Sequence, residues 1–192
     1  MAAPRNKTEL LASLPGDTPP FVFFLDPRAA PDRQPGPAVL SQWWPCRFTF
    51  DHRRFHTAEH AMMYAKAQLF GDHATAARIA STWHPFEAKA LGRSVRGFYE
   101  TRWQAERVPI VIAINREKFF QNPVLNAYLQ STGRAVLAEA SPTDLIWGTG
   151  IAATDSRATT PAAWPGESRL GFALMQVREL LAPSPAIPAA TA

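Results

Sequence analysis

The sequence predicts an α+β domain, mostly helical, built around a small sheet of short strands. Three observations carry this reading. Stretches rich in helix formers, opened by a capping residue and closed by Gly or Pro, fill most of residues 57–131 and 169–182. Two apolar runs, residues 21–25 and 135–139, have the length of strands rather than helices. Phe48 and Phe50 alternate with polar neighbours and Phe55 follows the turn-like Asp51-His52, the pattern of a small hairpin. Many helices around a few short strands make an α+β domain.

Taken in order, residues 1–20 are polar, end in Pro19-Pro20 and read as a flexible N-terminal lead. The run Phe21-Val22-Phe23-Phe24-Leu25 is a buried strand. Residues 26–38 hold Pro27, Pro31, Pro35, Gly36 and Pro37, a loop or local insertion, because Pro removes ladder donors and stops helices. After the hairpin, Thr57 caps a helix that Gly71 stops. Asp72 caps 73–81, and Pro85 suits the first turn of 85–91, which Gly92 ends. Thr101 caps a helix beginning near Arg102, which Pro109 must break, kink or restart before it runs to Phe119. Asn122-Pro123 opens 123–131, the strand 135–139 follows, and 141–150 is a loop with an apolar centre. Residues 152–163 are small and polar, so a flexible loop. Ser168 caps the last helix, 169–182, where Leu170, Leu174, Val177 and Leu181 recur at helical spacing. The Ala/Pro-rich 183–192 is expected to be a disordered tail, leaving 21–182 as one domain.

A chain of 192 residues suits one domain with a substantial core. No stretch of 18 apolar residues exists, so no membrane span is expected. Residues 1–20 lack the apolar run of a signal peptide, and a cytoplasmic location is the expectation. The single Cys46 excludes an internal disulfide, and no Cys/His spacing resembles a zinc site. The net charge of +4, from 20 basic and 16 acidic residues, is interleaved along the chain. That fits an anionic substrate such as a phosphate ester and is too weak to argue for duplex DNA binding.

Two residues do not fit a plain core helix. Glu59 lies in the first turn after Thr57, and Lys66 follows seven positions later. At about 100° per residue the two fall within roughly 20° of one face. A carboxylate and an amine on one stripe could form a reactive pair. From position alone, stabilisation of the helix dipole is the better explanation of Glu59; a solvated Lys66 is the ordinary reading, weakened because it shares Glu59's face. His56 and His60 have the spacing of helical metal ligands, but no third ligand is evident and the helix begins between them. No metal and no cofactor is expected.

Ordered blocks of residues carry a resemblance. They are His56-Thr57-Ala58-Glu59-His60-Ala61-Met62-Met63-Tyr64-Ala65-Lys66-Ala67 with Leu69-Phe70-Gly71-Asp72; Ala88-Lys89-Ala90-Leu91-Gly92-Arg93; Trp103; Lys118-Phe119-Phe120-Gln121-Asn122-Pro123; Thr132-Gly133; Glu139-Ala140-Ser141-Pro142-Thr143-Asp144-Leu145-Ile146-Trp147-Gly148-Thr149-Gly150; and Trp164 with Leu170-Gly171. The chain resembles the NADAR family, also called YbiA-like, over about residues 21–182. The resemblance implies an α+β fold and an N-glycosidase. Some members act on phosphoribosylamino-pyrimidine intermediates of riboflavin synthesis, and others remove ADP-ribose from guanine bases in nucleic acid. The pattern departs at Gln42, where the family usually has Asn, at Ser168-Arg169, where Asn commonly precedes Leu-Gly, and in the Pro-rich 26–38. These departures are expected at a pocket rim.

With that resemblance, Glu59 and Asp144 become the expected carboxylate pair for protons and water. Lys66 is the candidate nucleophile or orienting ligand. Arg93 is a candidate phosphate fork, although a cation at a helix C-terminus is an ordinary feature. Trp103 and Trp147 are expected to stack on a base or sugar, Gly148 and Gly150 to permit close ligand approach, and Ser41 and Trp43 to line the site. The rival reading is a catalytically inert module that binds ADP-ribose or nucleic-acid ends. The expected partners are a ribosyl phosphate or ADP-ribosyl small molecule, or ADP-ribosylated nucleic acid.

Overall fold

The structure, a computed structural model, describes residues 2–14, 19–25 and 35–183. Among these lie seven α-helices and four strands in two separate two-stranded pairs. Strand β1 (Phe21–Phe24) pairs in parallel with β4 (Val136–Glu139), Phe24 opposite Glu139. Strands β2 (Phe48–Phe50) and β3 (Arg53–Phe55) form the antiparallel hairpin, with Asp51 and His52 both at positive φ (49° and 59°). Paired left-handed residues suit a two-residue hairpin turn, because their twist matches that of the strands.

The centre of the fold is α2 (Ala58–Leu69). Thr57 caps it, its hydroxyl accepting a bond from the His60 N–H at 3.2 Å. Ala58, Glu59, His60, Ala61, Met62, Met63, Tyr64 and Ala67 are all buried. A helix covered on so many sides shows little amphipathic bias. Its neighbours are α3 (His73–Ser81), α4 (Pro85–Arg93) and α5 (Glu100–Phe120). Helix α6 (Pro123–Ser131) leads into β4, and α7 (Arg169–Leu180) packs on β4 and α5. No helix is long and apolar enough to cross a membrane.

Four expectations need correction. Within the N-terminal lead stands α1 (Lys7–Ser13), capped by Asn6, whose side chain accepts from the Glu9 N–H. Leu10 is buried in the core and Lys7 bonds the Trp164 carbonyl, so tertiary contacts order a segment that looks polar in isolation. Thr101 does not cap α5; the helix starts two residues earlier than expected, at Glu100 after Tyr99. Pro109 sits inside α5 without ending it. The ring faces solvent, while Trp103, Arg107, Val111, Ile114 and Lys118 are buried along the opposite stripe. Packing on both sides of the missing N–H outweighs its cost of about 3 kcal/mol. Ser168 occupies the cap position of α7 but at φ 52°, and its hydroxyl makes no capping bond. Asp72 caps α3 as expected. Most of the Pro-rich 26–38 and the tail from residue 184 lie outside the described residues.

Candidate active site

The fold encloses the Glu59 carboxyl. Its backbone N–H, one of the orphan donors of the first turn, donates to the Gln42 carbonyl at 3.0 Å, tying α2 to the loop that carries Ser41 and Trp43. Glu59 is 3% exposed, and its Oε1 has no hydrogen-bond partner among the described residues. Burial pushes its pKa up to about 7; Asp144 adds to the rise, and Lys89 and Arg93 oppose it. A carboxyl used only to satisfy a helix dipole would stay near water. This one is buried, and its Oε1 has no donor, the condition that raises a carboxyl pKa.

The second wall is the segment 139–150. Glu139 ends β4 beside Phe24, and its Oε2 is buried without a partner. Burial, then Asp144 and Glu59, push its pKa up to about 7 as well. Asp144 is half-buried, and its Oδ1 accepts from the N–H groups of Ile146 at 2.9 Å and Trp147 at 2.8 Å. This is the turn function expected of an Asx residue, and the same carboxylate also acts electrically on Glu59 and Glu139. The loop is fastened to residues 166–170: Gly166 donates to the Thr149 carbonyl at 2.8 Å and Ser168 to that of Gly148 at 2.9 Å. A Cβ on Gly166 would lie 2.3 Å from the Gly148 oxygen, so the two strands of this clasp require glycine. Gly150 turns at φ 78°, and Trp147 packs half-buried against the core.

Lys66 lies farther along α2. Seven residues at 1.5 Å rise separate it from Glu59 by about 10.5 Å along the axis. Its Nζ donates to the Gly92 carbonyl at 2.8 Å and stands 4.3 Å from the Phe98 ring centre and 5.6 Å from that of Trp103. Desolvation lowers its pKa, and Glu100 partly opposes that. The cation beside Glu59 is instead Lys89, whose Nζ is 4.0 Å from Oε1 and 5.1 Å from the Trp43 ring centre. Helix α4 thus sets Lys89 against Glu59 and the Gly92 carbonyl against Lys66, one turn apart. Arg93, exposed at the end of α4, reaches Glu59 through its charge.

Trp103 is buried under Lys66. Trp43 packs on Phe86, with ring centres 4.8 Å apart. Ser41 is buried, its carbonyl accepting at 2.8 Å from the enclosed Lys118 amine. Gln42 and Ser168 are not rim positions. Gln42 is buried and donates to Asn115 Oδ1 at 3.0 Å, and Ser168 is fully buried. A longer side chain at 42 therefore reaches into the core rather than toward a ligand. His60 Nδ1 lies 3.0 Å from Thr57 Oγ1; burial and His56 lower the ring's pKa to about 4. Among the described residues no cluster of three His, Cys, Asp or Glu side chains could hold a metal ion.

Sequence reasoning missed Lys89 and Glu139, although both lie inside the family blocks. Lys89 has the helical spacing that puts it one turn before Arg93, and Glu139 is the one carboxylate closing an apolar strand. A separate cleft of about 480 Å³ between α1, Arg134 and α7 contains none of these residues.

The NADAR domain profile matches residues 30–182. An N-glycosidase of Acanthamoeba polyphaga mimivirus is 38% identical over 168 residues, 85% of this chain and 97% of that protein. A riboflavin biosynthesis protein of Vibrio vulnificus is 31% identical over 79% of this chain and 37% of its own length. The N-glycosidase YbiA of Escherichia coli is 30% identical over 72% of this chain and 77% of its own. Its NMR structure superposes with a TM-score of 0.64 at 24% identity, covering 84% of this chain and 86% of that one.

Proposed function

We propose that this chain, which belongs to the NADAR family, is an N-glycosidase hydrolysing the C–N bond between a ribosyl group and a base or amine. Relatives named as N-glycosidases support the activity. The observation that carries the residue assignment is the enclosed Glu59 carboxyl, poised near neutrality between Asp144 and Lys89.

Cleavage of an N-glycoside needs a proton on the leaving nitrogen and electron density at the anomeric carbon. Glu59, partly protonated at neutral pH, supplies the proton. The desolvated Lys66 amine attacks the anomeric carbon as the C–N bond breaks. The resulting glycosylamine opens to a Schiff base as the bond from C1 to the ring oxygen breaks and a proton passes from the nitrogen to that oxygen. Water, deprotonated by the Glu59 carboxylate, then adds to that carbon and releases sugar and amine. Asp144 holds its loop and offsets positive charge on the sugar. Trp103, Trp147, Trp43 and Ser41 line the sugar and base, with Gly148 and Gly150 keeping the loop close, and Arg93 binds phosphate. No step uses a metal ion, and activity is expected to survive EDTA.

The substrate is a ribosyl phosphate or an ADP-ribosyl group. Incubation with the riboflavin-pathway phosphoribosylamino-pyrimidine and, separately, with an ADP-ribosylated guanine oligonucleotide identifies which is cleaved. Release of base or amine from one of them is the expected result. ADP-ribose binding without release from either would make the chain an inert binding module.

A further inference from the structure

We propose that Arg107 is a phosphate ligand of this site in addition to Arg93, binding a phosphate group of the substrate from the face of α5 that also carries Trp103. The ligand's identity rests on the ribosyl reading above; the anion-binding role rests on the residue itself.

Arg107 is 5% exposed, and its Nε is buried with no hydrogen-bond partner. Among the described residues no carboxylate forms an ion pair with it. A guanidinium carries five donors, cannot shed its charge, and is costly to bury with a donor left unpaired. Proteins keep such a group where an anion arrives to complete it, and a planar fork fits phosphate oxygens two at a time.

The position is equally specific. Four residues after Trp103, Arg107 shares its helical stripe about one turn away. Trp103 in turn lies beneath the Lys66 amine. The charges that act on Arg107 come from Arg169, Glu167, Glu100 and Asp144. It therefore lies within charge range of the 141–150 loop and of the start of α7, the helix packed on α5. Glu167 is already bonded to Arg169, which leaves Arg107 without that carboxylate. A second orphan stands at the start of α7. Ser168 is fully buried at positive φ, and its hydroxyl has no partner. A buried guanidinium nitrogen without a partner and the nearby Arg169 charge suit a phosphate monoester or a diphosphate, and no neutral group.

Calorimetry on the purified full chain tests this with ribose 5-phosphate, ADP-ribose and unphosphorylated ribose. The wild type is expected to bind both phosphorylated sugars and to bind ribose at least tenfold more weakly. Arg107→Met should weaken both phosphorylated ligands at least tenfold while its melting temperature stays level or rises, because an unpaired charge has left the interior. Arg107→Lys, which keeps charge without the fork, should fall between. Wild-type affinity for ribose 5-phosphate and ADP-ribose in Arg107→Met would overturn the proposal, as would equal binding of ribose and ribose 5-phosphate by the wild type. Should Arg107→Met not fold, wild-type affinity in a folded Arg107→Lys overturns it and a tenfold loss there supports it. Failure to release any base leaves these binding results standing, so the two readings fail separately.

Discussion

The Lys89 ammonium stands 4.0 Å from Glu59 Oε1, with the lysine partly in solvent and the carboxyl enclosed. The cation lowers the Glu59 pKa against the larger effect of burial. Removing it in Lys89→Met should raise that pKa. An acid works while protonated, so the alkaline limb of kcat/KM should move upward. Partial exposure of the lysine limits the shift to on the order of half a pH unit. A pH–rate profile of the variant reads it; a downward shift would contradict the acid role.

Glu59→Gln removes the proton donor and should lower kcat by about 10²–10⁴. Its stability should change in the opposite sense. Its pKa is about 7 in the fold against an ordinary 4.5, so ionising the enclosed group costs stability as pH rises above 4.5, in full above 7. That cost is on the order of 3 kcal/mol. The variant should melt higher than wild type at pH 8, and the gap should close near pH 4, as thermal denaturation at the two pH values will show.

Lys66 donates to the Gly92 carbonyl and lies over Phe98. An amine that forms a Schiff base is trapped by borohydride. Mass spectrometry should find one ribosyl adduct on the wild type when substrate and reductant are present together, and none on Lys66→Met. An active wild type that gives no adduct would instead make Lys66 a ligand for the sugar.

Gly171→Ala tests the packing of α7. The new Cβ would lie 1.9 Å from the Leu137 carbonyl oxygen, a backbone atom of β4 that cannot rotate aside. Stability should fall by about 1–3 kcal/mol in denaturant titration. Gly92→Ala meets the Met63 thioether at 2.0 Å, a flexible side chain, and should cost less stability. Its effect should fall more on activity, since Gly92 anchors Lys66.

Local chemistry explains which elements could be read from the chain. Thr57, Asp72, Pro85 and Pro123 mark helix starts because each satisfies or lacks a first-turn N–H, a property of a few neighbouring residues. Asn6 has the same chemistry, yet α1 is too short to stand alone and depends on Leu10 entering a distant core. Pro109 misleads for the same reason, since residues seven and more apart on α5 hold the helix through it.

The sequence by itself determined the helical framework, the two short strand runs, the hairpin and the stripe joining Glu59 to Lys66, because periodicity and caps are encoded within a few residues. Only the tertiary structure decided the company these side chains keep. It put Lys89 rather than Lys66 against Glu59, brought Glu139 from the end of a parallel strand, turned Gln42 into the core and left the buried Arg107 Nε without a partner. Burial and charge are sums over groups that chain spacing does not relate, so a carboxyl pushed to about 7 is a property of the folded arrangement and not of Glu59 alone.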